Sequence, residues 1–387
     1  MAIRPYTGAG LLPPPAEFVH LIMTQKERFF TALRGGKPDR IPWACNFDHW
    51  LNVNRARGTV PKEFEGMSRD DICRAIGAAI WARAGIFKSE TPNVKVTQRT
   101  EGDSTITTYK TPVGSVRTRH QTAPDFTRAQ FLKEHAIKTP QDIEVQKFMI
   151  QDEVLTPAYD SFLDAERAVG EDGIALTGVG YSPFQAFMIR MAGWVNGIYL
   201  LHDHPEKVEE LLEVIEQKAL EACRIAADSP AQVVAIGDNM DARTTSPRYY
   251  RRYLVPWYRK AAAILHAKGK IVQSHYDAPL RALLPLIPET DLDVIEAVPP
   301  LPMGDCTMGE AYRALRPRVA IQGGVPAVLV LRTSTAKELK DFIIQVIREV
   351  QPGDGFVLGM ADNVPPDANF DLVKAIAPIV EQYGWLT

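Results

Sequence analysis

The sequence predicts a (β/α)8 barrel, and three observations carry that expectation. Eight short strand-like runs recur along the chain, and most are separated by segments with helical spacing. Most of the runs are continuously apolar, which is how parallel strands buried on both faces read. Most also end in glycine or a polar cluster, and in a closed parallel barrel the C-terminal strand ends are where ligands bind. A chain of 387 residues suits one such barrel carrying insertions.

In chain order, residues 1–22 read as a Pro-rich arm, and the barrel domain is expected over 23–387. Thr24 and Glu27 have capping-box spacing, and "KERFFTALRGG" reads as a helix stopped at Gly35 and Gly36. The expected strands are "RIPWACNF" (40–47), "RAGIFKS" (83–89), "GIALTGVG" (173–180), "QVVAIGDN" (232–239), "KIVQSHYD" (270–277), "LDVIEAV" (292–298), "RVAIQGGV" (318–325) and "GFVLGMAD" (355–362). Among the intervening helices, 203–228 is the clearest, with Leu211, Leu212, Val214 and Ile215 at helical spacing. Ser246 and Pro247 read as N-cap and first residue of another. One segment breaks the alternation. Residues 94–122 alternate polar and β-branched side chains with Gly and Pro turns, so a three-stranded antiparallel meander is expected there, inserted after the second strand.

Composition narrows the function. The net charge is −3 and no basic run appears, so nucleic acid is not an expected partner. Cys45, Cys73, Cys223 and Cys306 are far apart, with no CxxC and no disulfide framework, which fits a reducing, cytoplasmic setting. The N-terminal stretch lacks the apolar run of a signal peptide, and nothing approaches the length of a membrane span.

The strand ends hold the candidate site. They are Asn46, Asp48 and His49; Lys88 and Glu90; Tyr181; Asp238, Asn239 and Asp241; His275 and Asp277; Glu296; Gln322; and Asp362 with Asn363. A carboxylate ending a buried strand is costly unless something pairs with it. Bland roles stand beside the functional ones. Asp241 can cap the loop before Ser246, Asp362 and Asn363 precede a "VPP" turn, and Lys88 and Glu90 read as a solvated pair. Glu296, inside "DVIEAV", is harder to explain without a partner. His275 and Asp277, two apart on a strand, share a direction. A metal site, a proton-transfer pair and a solvated loop edge are all compatible with that spacing.

"ALRGGKPDRIP" (32–42), "SPRYYRRYLVPWYRK" (246–260), "IQGGV" (321–325) and "GFVLGMADNVPPDANFDLVKAI" (355–376), in that order, resemble the uroporphyrinogen decarboxylase superfamily. The likeness runs from about Met23 to the C-terminus and implies a (β/α)8 barrel. True uroporphyrinogen decarboxylases carry an arginine-rich element after the first strand. This chain has "WACNFDHWLN" there and no arginine before Arg55. The resemblance therefore points to the cobalamin-linked methyltransferase branch. Relatives there that act on coenzyme M hold zinc with a His-x-Cys pair and a cysteine near the last strand. His275 falls on that histidine, Asp277 on the first cysteine, and Met360 and Ala361 where the last cysteine is expected.

The resemblance implies methyl transfer between a small methylated compound, with an O-methyl group possible, and a separate corrinoid protein. No Asp-x-His-x-x-Gly corrinoid signature occurs in the chain. His275, Asp277 and Glu296 are the expected zinc ligands, with His275, Asp238 and Asp362 catalytic. Trp43, Asn46, Phe47, His49, Tyr181, Asn239, Gln322 and Asn363 are the expected substrate contacts. Two rivals stand. One is a metal-free decarboxylase of a small acid or a uroporphyrinogen-like substrate, with Lys88 or Arg243 as its cation; the other is a non-catalytic binding barrel. Homo-oligomerisation is open.

Overall fold

The computed structural model describes residues 22–124 and 129–386. The expected arm, apart from Ile22, lies outside the described residues. Eight parallel strands form one sheet: β1 (Trp43–Ala44), β2 (Ile80–Arg83), β3 (Gly173–Gly178), β4 (Val233–Ile236), β5 (Ile271–His275), β6 (Val294–Val298), β7 (Ala320–Val325) and β8 (Phe356–Met360). From β2 to β8 each pairs with the next, β8 pairs with β1, and an isolated Ala44–Ala79 bridge joins β1 to the residue just before β2. The sheet thus closes into the expected barrel.

Strand parity explains how the barrel is filled. Inward-facing Ile174, Leu176, Val233, Ile271, Val294, Ala320 and Val357 form an apolar plug. Phe29 and Leu33, from the helix Gln25–Leu33, close it from the N-terminal end. That helix starts at the predicted Thr24–Glu27 capping box. Two residues further along each strand the inward positions change character. Arg83 follows Trp81, Gly178 follows Leu176, Ala235 follows Val233, Gln273 follows Ile271, and Glu296 follows Val294. The apolar core therefore stops partway up and leaves a polar mouth at the C-terminal strand ends.

Outside the barrel, the helix Pro205–Asp228 buries Leu211, Leu212 and Ile215 in the layer between helices and sheet. Ser246 caps the next helical segment by accepting a hydrogen bond from the Tyr249 backbone N–H. No helix among the described residues is long and apolar enough to cross a membrane.

Two expectations need correction. The second barrel strand is Ile80–Arg83, not 83–89. Gly85 interrupts that run, and Phe87–Glu90 instead pairs antiparallel with Val154–Pro157. The uninterrupted apolar stretch 78–82 is what a strand buried on both faces needs. Lys88 and Glu90 consequently sit exposed on the outlying two-stranded sheet, away from the barrel mouth. The inserted sheet also has four strands rather than three: Lys95–Glu101, Ser104–Thr111, Gly114–Thr122 and Gln130–Glu134. The last, "QFLKE", lies outside the alternating 94–122 segment.

Candidate functional site at the barrel mouth

A cavity of about 320 Å³ opens where the plug ends. Its walls are unequal. Gly178, Gly180, Ala235 and Gly237 present almost no side chain on the β3–β4 side. Opposite stand Gln273, Ser274, His275, Glu296 and Arg83, with Asp362, Asn363, Asn46, Tyr181 and Asn239 around the opening.

His275 is the hub. Its Nδ1 lies 2.7 Å from Glu296 Oε1, on the neighbouring strand. A register shift in the β6–β7 pairing between Ile295 and Val298, with Ala297 at φ +66°, marks where the strand re-aims around Glu296. The other ring nitrogen, Nε2, lies 3.3 Å from Asp277 Oδ2, two residues past the strand end. Burial alone would lower the histidine's pKa, but Glu296 and Asp277 together carry it up to about 10.

Asp362 completes the cluster from β8. One donor atom each from His275, Asp277 and Asp362 all lie within 4.8 Å of one another. Asp362 has φ +87°, a conformation that a non-glycine residue keeps only where its surroundings dictate it. Burial, with Asp277 and Glu296 nearby, raises its pKa. Asn363 donates to its Oδ1 at 2.7 Å. This donor set fits a divalent cation. It offers one imidazole nitrogen and two carboxylates, and Glu296 on Nδ1 fixes which nitrogen faces the metal. Of the expected set of His275, Asp277 and Glu296, the first two share this group of donor atoms with Asp362, while Glu296 meets His275 at Nδ1 on the other side of the ring.

Other expected contacts separate into two groups. Asn46, Tyr181, Asn239 and Asn363 line the cavity. Trp43, Phe47 and His49 do not. Ala44 holds the inward position of β1, so Trp43 faces the outer layer. Phe47 packs edge-on against Phe370, with ring centroids 5.8 Å apart, and His49 is exposed on the helix Asp48–Arg57. Gln322 is buried, close to Gly359 of β8 and outside the cavity lining.

Asp238 is also outside the lining. Fully buried, it accepts hydrogen bonds from the Ser182 N–H (2.7 Å), the Ser182 hydroxyl (2.9 Å) and the Tyr258 hydroxyl. Burial pushes its pKa up to about 6, against those hydrogen bonds, which pull it down. An unfolded aspartate titrates near 3.9. Between about pH 4 and pH 6 the folded chain therefore keeps a proton that the unfolded chain releases. Stability from this group falls as pH rises through that window, by about 3 kcal/mol in all. Urea unfolding at pH 4 and pH 7 should show the wild type losing most of that, about 2 kcal/mol more than Asp238→Asn. Equal losses in the two proteins would show that the carboxyl is not shifted.

Sequence reading missed Arg83 and Gln273. Arg83 ends the true β2, donates to Glu296 Oε1 at 3.3 Å and lies 4.4 Å over the Trp81 ring. Among the described residues it is the one arginine lining the cavity. The unbroken apolar run before it was the available signal. Gln273 lies two positions before His275, and the same parity that pairs His275 with Asp277 points it inward. Lys88 and Arg243, the cations considered for decarboxylation, are elsewhere: Lys88 is on the outlying sheet, and Arg243 forks Asp241 at 2.7 Å.

A methyltransferase from Methanosarcina mazei is 13% identical, with 93% of this chain and 99% of that one covered at a TM-score of 0.59. A Bacteroidetes-affiliated GH5 cellulase is 11% identical over 57% of this chain and 73% of its own, at a TM-score of 0.37. No curated protein matches the chain. The family profile described as uroporphyrinogen decarboxylase (URO-D) matches residues 124–383. That match takes in β3 to β8 and with them every member of the His275 cluster, so the chain belongs to the uroporphyrinogen decarboxylase family.

Proposed function

We propose that this chain is a metal-assisted methyltransferase that moves a methyl group between a small methylated compound and a corrinoid carried by a separate protein. One observation carries the reading: His275, Asp277 and Asp362 converge within 4.8 Å at the mouth of the barrel, with Glu296 locking the histidine ring. Zinc held there would supply a Lewis acid for the oxygen that bears the methyl group. Two carboxylates in place of thiolates make the donor set harder, which suits an oxygen rather than a thiol. The fold likeness to the Methanosarcina methyltransferase points the same way.

The chain's own residues do the positioning. Glu296 holds the His275 ring in one orientation, and Arg83 in turn braces Glu296. Asn363 holds Asp362. Tyr181, Asn239 and Asn46 offer hydrogen bonds around the opening. In the demethylating direction the C–O bond breaks, its electron pair stays on oxygen, and the oxygen takes a proton from solvent. A reduced corrinoid on the partner would supply the electron pair for the new bond to carbon.

Protein purified without chelators should carry about one zinc per chain. It should also transfer methyl groups from small methoxylated compounds to free reduced cobalamin, followed by its visible spectrum. Active protein with no stoichiometric metal and a rate untouched by chelators would sink the metal-assisted reading.

A second reading has its own support. Arg83 places a cation at the cavity, so metal-free decarboxylation of a small acid is the alternative. Chelator-resistant release of carbon dioxide from such acids would favour it.

A further inference from the structure

The floor of the cavity holds a side chain that the proposed chemistry does not use. Gln273 is fully buried and lines the cavity, yet neither its Oε1 nor its Nε2 has a hydrogen-bond partner within the protein. A buried amide left unpaired is destabilising, and native proteins seldom keep one without a reason. Its neighbours indicate the reason. Gln273 pairs with Ala235, which pairs with Gly178, so one inward row runs from the amide across two positions with almost no side chain. A methyl group added at Gly178 would meet only the Ala235 carbonyl oxygen, at 3.7 Å. Packing therefore does not demand glycine there; the small side chains leave a flat slot beside the amide.

We propose that Gln273 is a specificity-determining residue that binds a carboxamide, or a similar group able both to donate and to accept, on the small molecule in this cavity. Where the reacting methyl group lies rests on the function proposed above; the recognition of the other end does not. A primary amide accepts from Nε2 and donates to Oε1 at once, and its planar shape fits against Gly178 and Ala235. A carboxylate satisfies Nε2 but sets a negative charge against Oε1. An alkyl end satisfies neither atom. A cavity of about 320 Å³ sits at the small end of ligand pockets, so the whole molecule is compact.

Three probes of matched length test this: 3-methoxypropanamide, 3-methoxypropanoate and 1-methoxybutane. Dissociation constants would be measured by calorimetry on the wild type and on Gln273→Met, with zinc content determined alongside. In the wild type the amide should bind at least tenfold tighter than 1-methoxybutane. In Gln273→Met that preference should drop below threefold, while the ligand-free Tm stays level or rises because the unpaired amide is gone. Gly178→Val, which fills the slot without touching Gln273, should weaken the amide probe at least tenfold. A wild-type preference under threefold overturns the proposal, and so does no detectable binding of any probe. Retained preference in Gln273→Met overturns it as well, as does a Tm drop of several degrees with the preference unchanged, which would mark the glutamine as structural. Zinc-free protein that still prefers the amide would defeat only the metal-assisted reading, and zinc-loaded protein without the preference would defeat only this inference.

Discussion

Under the proposed function, His275→Ala is expected to bind no zinc and to cut methyl transfer about a thousandfold, the equivalent of several kcal/mol of charge stabilisation at the reacting oxygen. The size follows from what the ring holds together. Its Nδ1 is tied to Glu296, its Nε2 lies 3.3 Å from Asp277, and a donor atom of Asp362 lies within 4.8 Å of the ring nitrogen and of Asp277. Without the imidazole only two carboxylates remain, from elements on opposite sides of the mouth, and a catalytic zinc needs three protein ligands. The same substitution leaves Glu296 buried with Arg83 as its remaining partner, so some loss of stability is expected too. Specific activity must therefore be measured on the folded fraction, with circular dichroism and metal content on the same sample. A folded variant that keeps stoichiometric zinc and full turnover would remove His275 from the centre of the site.

Uroporphyrinogen should not be decarboxylated above background, despite the family to which the chain belongs. Recognition of eight carboxylates calls for several paired arginine contacts, because the guanidinium fork is what matches carboxylate geometry. Among the described residues Arg83 is the one arginine lining the cavity, and Glu296 already occupies part of it. The segment after β1 carries no arginine before Arg55, and Arg55 itself donates to the Met67 carbonyl oxygen. A cavity of about 320 Å³ is also small for a tetrapyrrole. Product analysis by chromatography after incubation with uroporphyrinogen would decide it. Turnover matching an authentic decarboxylase would overturn the methyltransferase reading and leave the group of His275, Asp277 and Asp362 to be explained in other terms.

Much of this was legible because strand parity and burial write themselves into sequence. Continuous apolar runs marked seven of the eight barrel strands. The polar residues closing them named His275, Asp277, Glu296 and Asp362 before any coordinates. The second strand failed for a local reason: Arg83–Ser89 contains strand-like residues, but the uninterrupted run that a doubly buried strand needs lies just before it. Arg83 was missed with it. Trp43 and Phe47 failed for another reason. An aromatic residue near a strand end has the same composition whether it faces the cavity or the helices, and Ala44 had already taken the inward position of β1.

The barrel, its polar C-terminal mouth and the residue types that gather there are readable along the chain, because periodicity and burial are properties of sequence neighbours. Which donors meet is settled by how the strands are arranged in space. That Asp362 rather than Glu296 joins His275 and Asp277 depends on the closure of β8 against β1 and on the kink at Ala297 in β6. That Gln273 faces a slot with no protein partner depends on Gly178 and Ala235, which lie on other strands. Distances between side chains on different strands are set by sheet register and curvature, and a linear sequence does not encode them as local patterns.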